Sequence, residues 1–409
     1  MDISLNSTLI RLTEAAYHIH LKTKRKNLVG KSGAFIESID RFCLPGQARK
    51  RALISLLPSA WERGIAQYPN IKYFNQDGLT VEIIKALNEL GYVVDLVDWK
   101  HPDFIPARPY DFYMGHGGFA GHTRRVIDHL PRETFVLNYA SGAYGEAFNR
   151  MSQERYDNFC KRKSLPFKRS FVRSLLGTEA DENYLARRAD ATFLSGPRTC
   201  ATLDGISKKT ALLYLGSYVD QSLLVQDRDF EAGRRNFIYV AGTGGNVQKG
   251  MDLLLETFSR LPEYHLYIHC RVEAEVLSAY RRELALPNIH YTYHYSRGPL
   301  RGQLLQLLRK INFTISAPID TGPGTAFLGS MGLGLIPVGY VDINGDDADS
   351  VLTDSYSIDG LMKIVQKASS MSAEWCREAS RRTIMRYHRL HVPSAFGGNF
   401  KQMLIDFGL

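Results

Sequence analysis

Apolar positions along this chain recur in two spacings, short continuous runs and stripes at helical intervals, and the two alternate. The run within Arg51–Trp61 predicts a strand. Val81, Ile83, Ile84, Leu87 and Leu90 mark one face of a helix over Thr80–Leu90, which Gly91 stops. A strand over Tyr92–Val97 follows at once, completing a β-α-β unit, the building block of a parallel sheet. A further strand over Asp111–Met114 ends in the loop GHGGFAGH, Gly115–His122. A helix stopped at Leu130–Pro131, a strand over Thr134–Tyr139, a charged helical stretch over 146–188 and a strand over Ala191–Leu194 complete this half.

The polar stretch Gly216–Asn236 separates it from a second half with the same rhythm. Here strands fall at 237–241, Leu266–His269, 289–293 and Ile311–Ser316, with helices at 250–260, 273–285 and 301–309. Gly322, Gly324, Gly329, Gly332 and Gly334 punctuate a helix that leads into a strand over Ile336–Val341. A basic helix over Trp375–Leu390 and an apolar one over Phe400–Phe407 end the chain. There is no repeat at solenoid spacing and no low-complexity tract. The pattern is that of an α/β protein with domains at 1–218 and 219–385, and a final segment, 386–409, that crosses back to the first domain.

Candidate chemistry concentrates after the strand at 237–241. Gly242, Gly244 and Gly245 let a backbone approach a phosphate closely, the following helix start offers N–H donors, and Lys249 adds a full charge. Gly250 stands where a P-loop needs Ser or Thr, and Val247 where the dinucleotide fingerprint needs its third glycine. The loop therefore suggests a phosphate-bearing ligand while excluding the usual ATP and NAD motifs. A tight turn with an exposed lysine is the plainer alternative.

Composition narrows the setting. Five scattered cysteines, Cys43, Cys160, Cys200, Cys270 and Cys376, form no Cys-x-x-Cys pair, which argues against a disulfide framework or structural zinc. No apolar run approaches the roughly 20 residues of a membrane span, and the first residues lack a signal-peptide pattern, so a cytoplasmic location is expected. The net charge of +9 gathers at 22–31, at 49–51 and at Lys161, Arg162, Lys163, Lys168, Arg169 and Arg173. Those clusters suggest peripheral contact with an anionic inner membrane face or an anionic acceptor, the solvated face being the alternative. No nucleic-acid module is present, which disfavours nucleic acid.

With these features together, the chain resembles the GT-B glycosyltransferases, two Rossmann-like domains whose parallel sheets face a central cleft, and particularly the retaining family 4 type. That family opens its C-terminal domain with a strand, a short Gly-Arg loop, then Lys-Gly and a helix, matched here by Gly242, Lys249-Gly250 and DLLLETF. Its second hallmark, a Pro-Ser strand end, a Glu-Gly-x-Gly turn, Glu-Ala-Met-Ala-x-Gly and Pro-Val, is matched in order by Ser316-Ala317-Pro318, Asp320, Gly322, Gly324, Gly329-Ser330-Met331-Gly332-Leu333-Gly334 and Pro337-Val338. Asp320 sits one residue before the place of the first glutamate, and two positions depart. Thr243 replaces the arginine of the phosphate clamp, and the second glutamate of the motif falls on Gly329.

The resemblance implies a nucleotide-sugar co-substrate, no further cofactor and no metal, and a glycan or lipid-linked acceptor, as in cell-surface polysaccharide assembly. It implies donor contacts from Gly242, Thr243, Gly244, Lys249, Gly250, Asp320, Gly322, Gly324 and Thr325. Lys249 would stabilise the leaving diphosphate, Asp320 would hold sugar hydroxyls, and His116 would orient the donor. Asn75, Asp77, Gly117 and Gly118 are the acceptor-side candidates, with a plain turn and a Thr80 cap as the alternative for the first two. His122, the pairs His265/His269 and His290/His294, and the acids Asp347 and Asp349 read as structural rather than metal-binding. A catalytically silent sugar-nucleotide-binding or scaffold protein and a nucleotide-sugar epimerase remain the alternative functions.

Overall fold

The computed structural model describes residues 34–409 apart from 48, 70–75, 141, 167–177, 243–244, 294–300, 320–321, 341 and 344–347. Its contacts divide into two units, one holding 34–150, 178–218 and Leu390–Leu409, the other 151–166 and Val219–Arg389.

The first unit is built on seven strands: β1 Phe35–Ile39, β2 Lys50–Leu56, β3 Tyr92–Asp98, β4 Phe112–Gly115, β5 Phe135–Tyr139, β6 Ala191–Leu194 and β7 Thr210–Leu212. They lie in the order β1-β3-β2-β4-β5-β6-β7. All neighbours are parallel except the β1–β3 pair. The expected strand over Arg51–Trp61 stops at Leu56, because Pro58 opens helix α1, Pro58–Gln67. Proline has no N–H to give a sheet but suits a first helical position. Helices α2 Gln76–Glu89, α3 His122–Asp128, α4 Gly145–Lys163, α5 Glu179–Arg188 and α6 Pro197–Ala201 complete the alternation. Strand order reverses between β2 and β4, so the β4–α3 loop lies at a topological switch point, where open α/β sheets take ligands.

The second unit has six parallel strands: β8 Asn236–Val240, β9 His265–His269, β10 Ile289–Tyr291, β11 Phe313–Ser316, β12 Ile336–Gly339 and β13 Val351–Leu352. Between them run α7 Met251–Ser259, α8 Ala274–Ala279, α9 Arg301–Leu308 and α10 Thr325–Gly332, with α11 Ile358–Ser370 and α12 Ala373–Leu390 after them. The order β10-β9-β8-β11-β12-β13 is the doubly wound arrangement, with its switch point between β8 and β11. Its core stacks Phe237 on Phe313, with Phe258 edge-on to Phe237.

The later turns of α4 belong to this second core, through Tyr156, Phe159 and Cys160, rather than to the first half that the sequence suggested for 146–188. Buried Asp252 of α7 holds them, taking Arg155 at 2.9 Å and Arg162 at 2.5 Å. Arg162 also pairs with Glu256, and Lys163 with Glu283. Two members of the basic cluster at 161–173 are thus neutralised internally rather than offered to an anionic surface.

The last helix, α13 Pro393–Asp406, buries Phe396, Phe400, Met403 and Leu404 in the first unit's core. A Cβ at Gly397 would sit 2.3 Å from Glu82 Oε2, so the missing side chain lets α13 close on α2. Among the described residues no helix is long and apolar enough to cross a membrane.

Candidate functional site

At the second unit's switch point, the described residues 245–250 of the loop after β8 are held by their neighbours. Gly245 has φ +70°, and its N–H and that of Asn246 donate to the two carboxylate oxygens of Glu273, each at 2.8 Å. Two backbone N–H groups of this loop are therefore taken by the protein's own carboxylate. Lys249 is half-buried, and its ammonium donates to Gly242 O at 3.2 Å. Gly250 has φ +90°, and a Cβ there would lie 2.4 Å from Ala317 O. Only glycine lets the start of α7 pack on the end of β11. The Ile319 N–H then donates to Gln248 O at 2.9 Å, stitching the loop after β8 to the segment after β11.

That segment leads through half-buried Gly322 to exposed Gly324 and Thr325, where α10 begins. A Cβ at Gly324 would meet nothing within 4 Å, so this helix start is open. The far end of α10 is closed by buried Arg228, which donates to Leu333 O at 2.7 Å and Gly334 O at 2.5 Å. Burial lowers its guanidinium to about 10.

In the first unit, His116 follows β4. Its Nδ1 lies 3.1 Å from Tyr139 O, and its ring lies tilted at 32° against that of Tyr139 with centroids 4.9 Å apart. Crowding by these neighbours lowers the imidazole below its ordinary value, against the opposing Tyr139 carbonyl. The neutral ring with its proton on Nδ1 leaves Nε2 as an acceptor. It lines a pocket of about 30 Å³ together with Gly117, Asn138, Tyr144, Gly145 and Glu182.

The loop glycines admit the protein's own side chains. A Cβ at Gly117 would lie 2.4 Å from Glu182 Cγ, and one at Gly118 2.6 Å from Thr123 Oγ1. Asp181 accepts the Gly121 N–H at 2.8 Å, so the first turn of α5 braces both ends of the loop. Buried His122 completes the frame, with Ser55 Oγ 2.9 Å from Nε2 and His101 O 3.0 Å from Nδ1.

The structure gathers Gly242, Lys249, Gly250, Gly322, Gly324 and Thr325 at one switch point, and His116, Gly117 and Gly118 at the other. Asp77 is largely buried in α2, in a two-point pair with Arg63 at 2.7 and 3.0 Å. Asn75, Thr243, Gly244 and Asp320 lie outside the described residues, as do His294 and Asp347. Glu273 and Glu182 were missed by the sequence reading. Glu273 stands just before a helix, the only local signal it carries, and Glu182 is one acid in a charged stretch.

No protein-family model matches the chain, and no curated protein matches it in sequence. Solved structures do match. A sucrose-phosphate synthase from Thermosynechococcus elongatus aligns with a TM-score of 0.57 at 12% identity, covering 88% of this chain and 99% of that one. A glycosyltransferase from Rickettsia africae ESF-5 aligns with a TM-score of 0.52 at 10% identity, again over 88% and 99%. The fold is GT-B. Likeness at these identities is likeness of backbone, and it gives the two Rossmann-like units of GT-B their common description. In GT-B terms His116 belongs to the N-terminal unit and the Lys249 loop to the C-terminal one.

Proposed function

We propose that the protein is a glycosyltransferase that moves a sugar, with retention at the anomeric carbon, from a nucleotide donor to a glycan or lipid-linked acceptor. The observation that carries this reading is the position of Lys249. Its ammonium donates to Gly242 O just past the carboxyl end of the first strand of a doubly wound sheet, at the switch point, and the helix start at Gly324, after the neighbouring strand β11, is open. Such an edge suits a diphosphate.

In the transfer, the acceptor oxygen bonds to the anomeric carbon as the bond to the diphosphate breaks, and the electron pair leaves with the diphosphate. Lys249 and the α10 start stabilise that growing charge. His116, neutral and accepting at Nε2, orients a hydroxyl rather than a phosphate. The reading needs no metal or further cofactor. Attachment to the inner membrane face would rest on basic residues other than Arg162 and Lys163.

A donor panel of UDP-, GDP-, ADP- and CMP-sugars tests it, scored for thermal stabilisation and for nucleotide release. One donor that both stabilises and is turned over is the expected result. A second reading, a silent sugar-nucleotide-binding protein, is favoured by Glu273 occupying two loop donors and by Gly329 standing at the family's second glutamate. Stabilisation without release, with candidate acceptors present, would decide for it. No response to any donor would remove both.

A further inference from the structure

Arg228 is a charged group with no part in the reading above. It is 9% exposed and lies beside the carboxyl end of α10, within the same unit as that helix. Its guanidinium donates to Leu333 O at 2.7 Å, Gly334 O at 2.5 Å and Ser380 Oγ at 3.3 Å, and all three partners are neutral. Among the described residues its Nε has no partner, and no carboxylate pairs with the group. The acids on either side of it in the chain are engaged elsewhere. Asp227 accepts from Arg309 at 3.1 Å, and Asp229 accepts the Ala232 N–H at 2.9 Å.

Closing the end of a helix does not require a charge, because a neutral amide N–H also satisfies a carbonyl. A cation buried without a counterion costs stability, and the lowering of this guanidinium to about 10 has burial as its cause. What the charge supplies, and an amide would not, is a field.

That field has a direction. Helix α10 has eight residues and spans about 12 Å, and its amino end at Gly324 and Thr325 is open. Arg228 cancels the negative pole at the far end and leaves the positive pole at the amino end unopposed. Being buried and unpaired, its charge is also poorly screened by salt. Over about 15 Å, with an effective dielectric of about 40, one charge changes affinity by about twofold to threefold for each negative charge on a ligand.

We propose that Arg228 is a positioning residue for the leaving diphosphate, its uncompensated charge acting through α10 to hold that group at the helix start. The inference rests on the transfer reading and adds to it a residue that does not touch the ligand.

The test is equilibrium titration with the nucleoside mono- and diphosphate of the base that the donor panel selects: UMP and UDP, GMP and GDP, or AMP and ADP. Two variants remove the charge by different routes. Arg228→Gln keeps an amide donor and loses the cation. Ser380→Asp leaves Arg228 in place and sets a carboxylate beside it. Each is expected to weaken the diphosphate at least about fivefold, and the monophosphate by a factor about two to three times smaller, since the effect scales with ligand charge. Arg228→Lys, which keeps the charge, should remain within about twofold of wild type.

Thermal unfolding establishes that each variant is folded, and since the two alter different side chains, either one decides alone. Wild-type diphosphate affinity in a folded Arg228→Gln or Ser380→Asp protein overturns the inference. Equal losses for the two nucleotides also overturn it, because they leave Arg228 as a helix cap and nothing more. Selection of a CMP-sugar, which carries no diphosphate, does the same. In those cases a donor is still turned over, so the transfer reading stands. Silence of wild type toward every donor removes that reading and this one with it.

Discussion

Glu273 and Asn246 hold each other by reciprocal hydrogen bonds. The Glu273 carboxylate accepts the Asn246 N–H at 2.8 Å, and Asn246 Oδ1 accepts the Glu273 N–H at 2.7 Å. The second carboxylate oxygen takes the Gly245 N–H, so one side chain fixes the turn that carries Lys249. Charge-assisted bonds of this kind contribute about 1.5–3 kcal/mol each, less when shared. Glu273→Ala should lower stability by about 2–4 kcal/mol, and Glu273→Gln, which keeps one acceptor, by less. Thermal unfolding of the three proteins checks this, and equal midpoints would show that the loop holds its shape without the carboxylate.

Lys249 is the test of the donor site. Its ammonium lies beside Gly242 O, and removing a cation aimed at a leaving group typically costs about a hundredfold to a thousandfold in turnover. Lys249→Ala should show that loss in nucleotide release, with Lys249→Arg recovering part of it. Stabilisation by the bound donor should fall in parallel. Release at the wild-type rate from the alanine protein would mean the diphosphate sits elsewhere.

Gly250 joins the two loops of the same switch point. Alanine there would be strained at φ +90° and would meet Ala317 O at 2.4 Å, both of which demand a backbone shift. Gly250→Ala should cost about 1–3 kcal/mol and displace the start of α7, so donor affinity should drop along with stability. By contrast Gly324→Ala, whose Cβ would meet nothing within 4 Å, should leave the unfolding midpoint nearly unchanged. Similar midpoints for the two variants would contradict this contrast.

What the sequence made legible was what is local. The run in Tyr92–Val97 and the stripe of Val81, Ile83, Ile84 and Leu87 each signal their element within a few residues, and each element is present. The failures come from terms with distant partners or mixed patterns. Strand β1 reads Phe-Ile-Glu-Ser-Ile, too exposed at its edge position to alternate clearly. Helix α11 was passed over although Ser357 caps it by accepting the Gly360 N–H at 3.1 Å. Asp252 and Arg155 lie 97 positions apart in sequence, and nothing near either foretells their pairing. Glu182 and Gly117 are likewise remote in sequence, so the His116 pocket could be guessed from its glycines but not its carboxyl.

His265 and His290 predict how the protein responds to acid. His265 Nδ1 lies 3.0 Å from His290 Nε2 between neighbouring strands, and His290 also stacks on Tyr267 at 4.6 Å. A contact that short needs one ring nitrogen to donate and the other to accept, which fails once both rings are charged. Burial, and then the neighbouring His265, lower His290 from 6.5 to about 4. Between those values the unfolded chain binds more protons than the folded one, so stability rises with pH across that window. Its contribution is complete above about pH 6.5 and is lost as pH falls towards 4, a change of about 3 kcal/mol. His290→Gln removes the titrating group while retaining a polar side chain. The unfolding midpoint of wild type should therefore fall more steeply than that of the variant between about pH 6.5 and about pH 4.5. Parallel curves for the two proteins would show that this histidine pair does not set the acid limit.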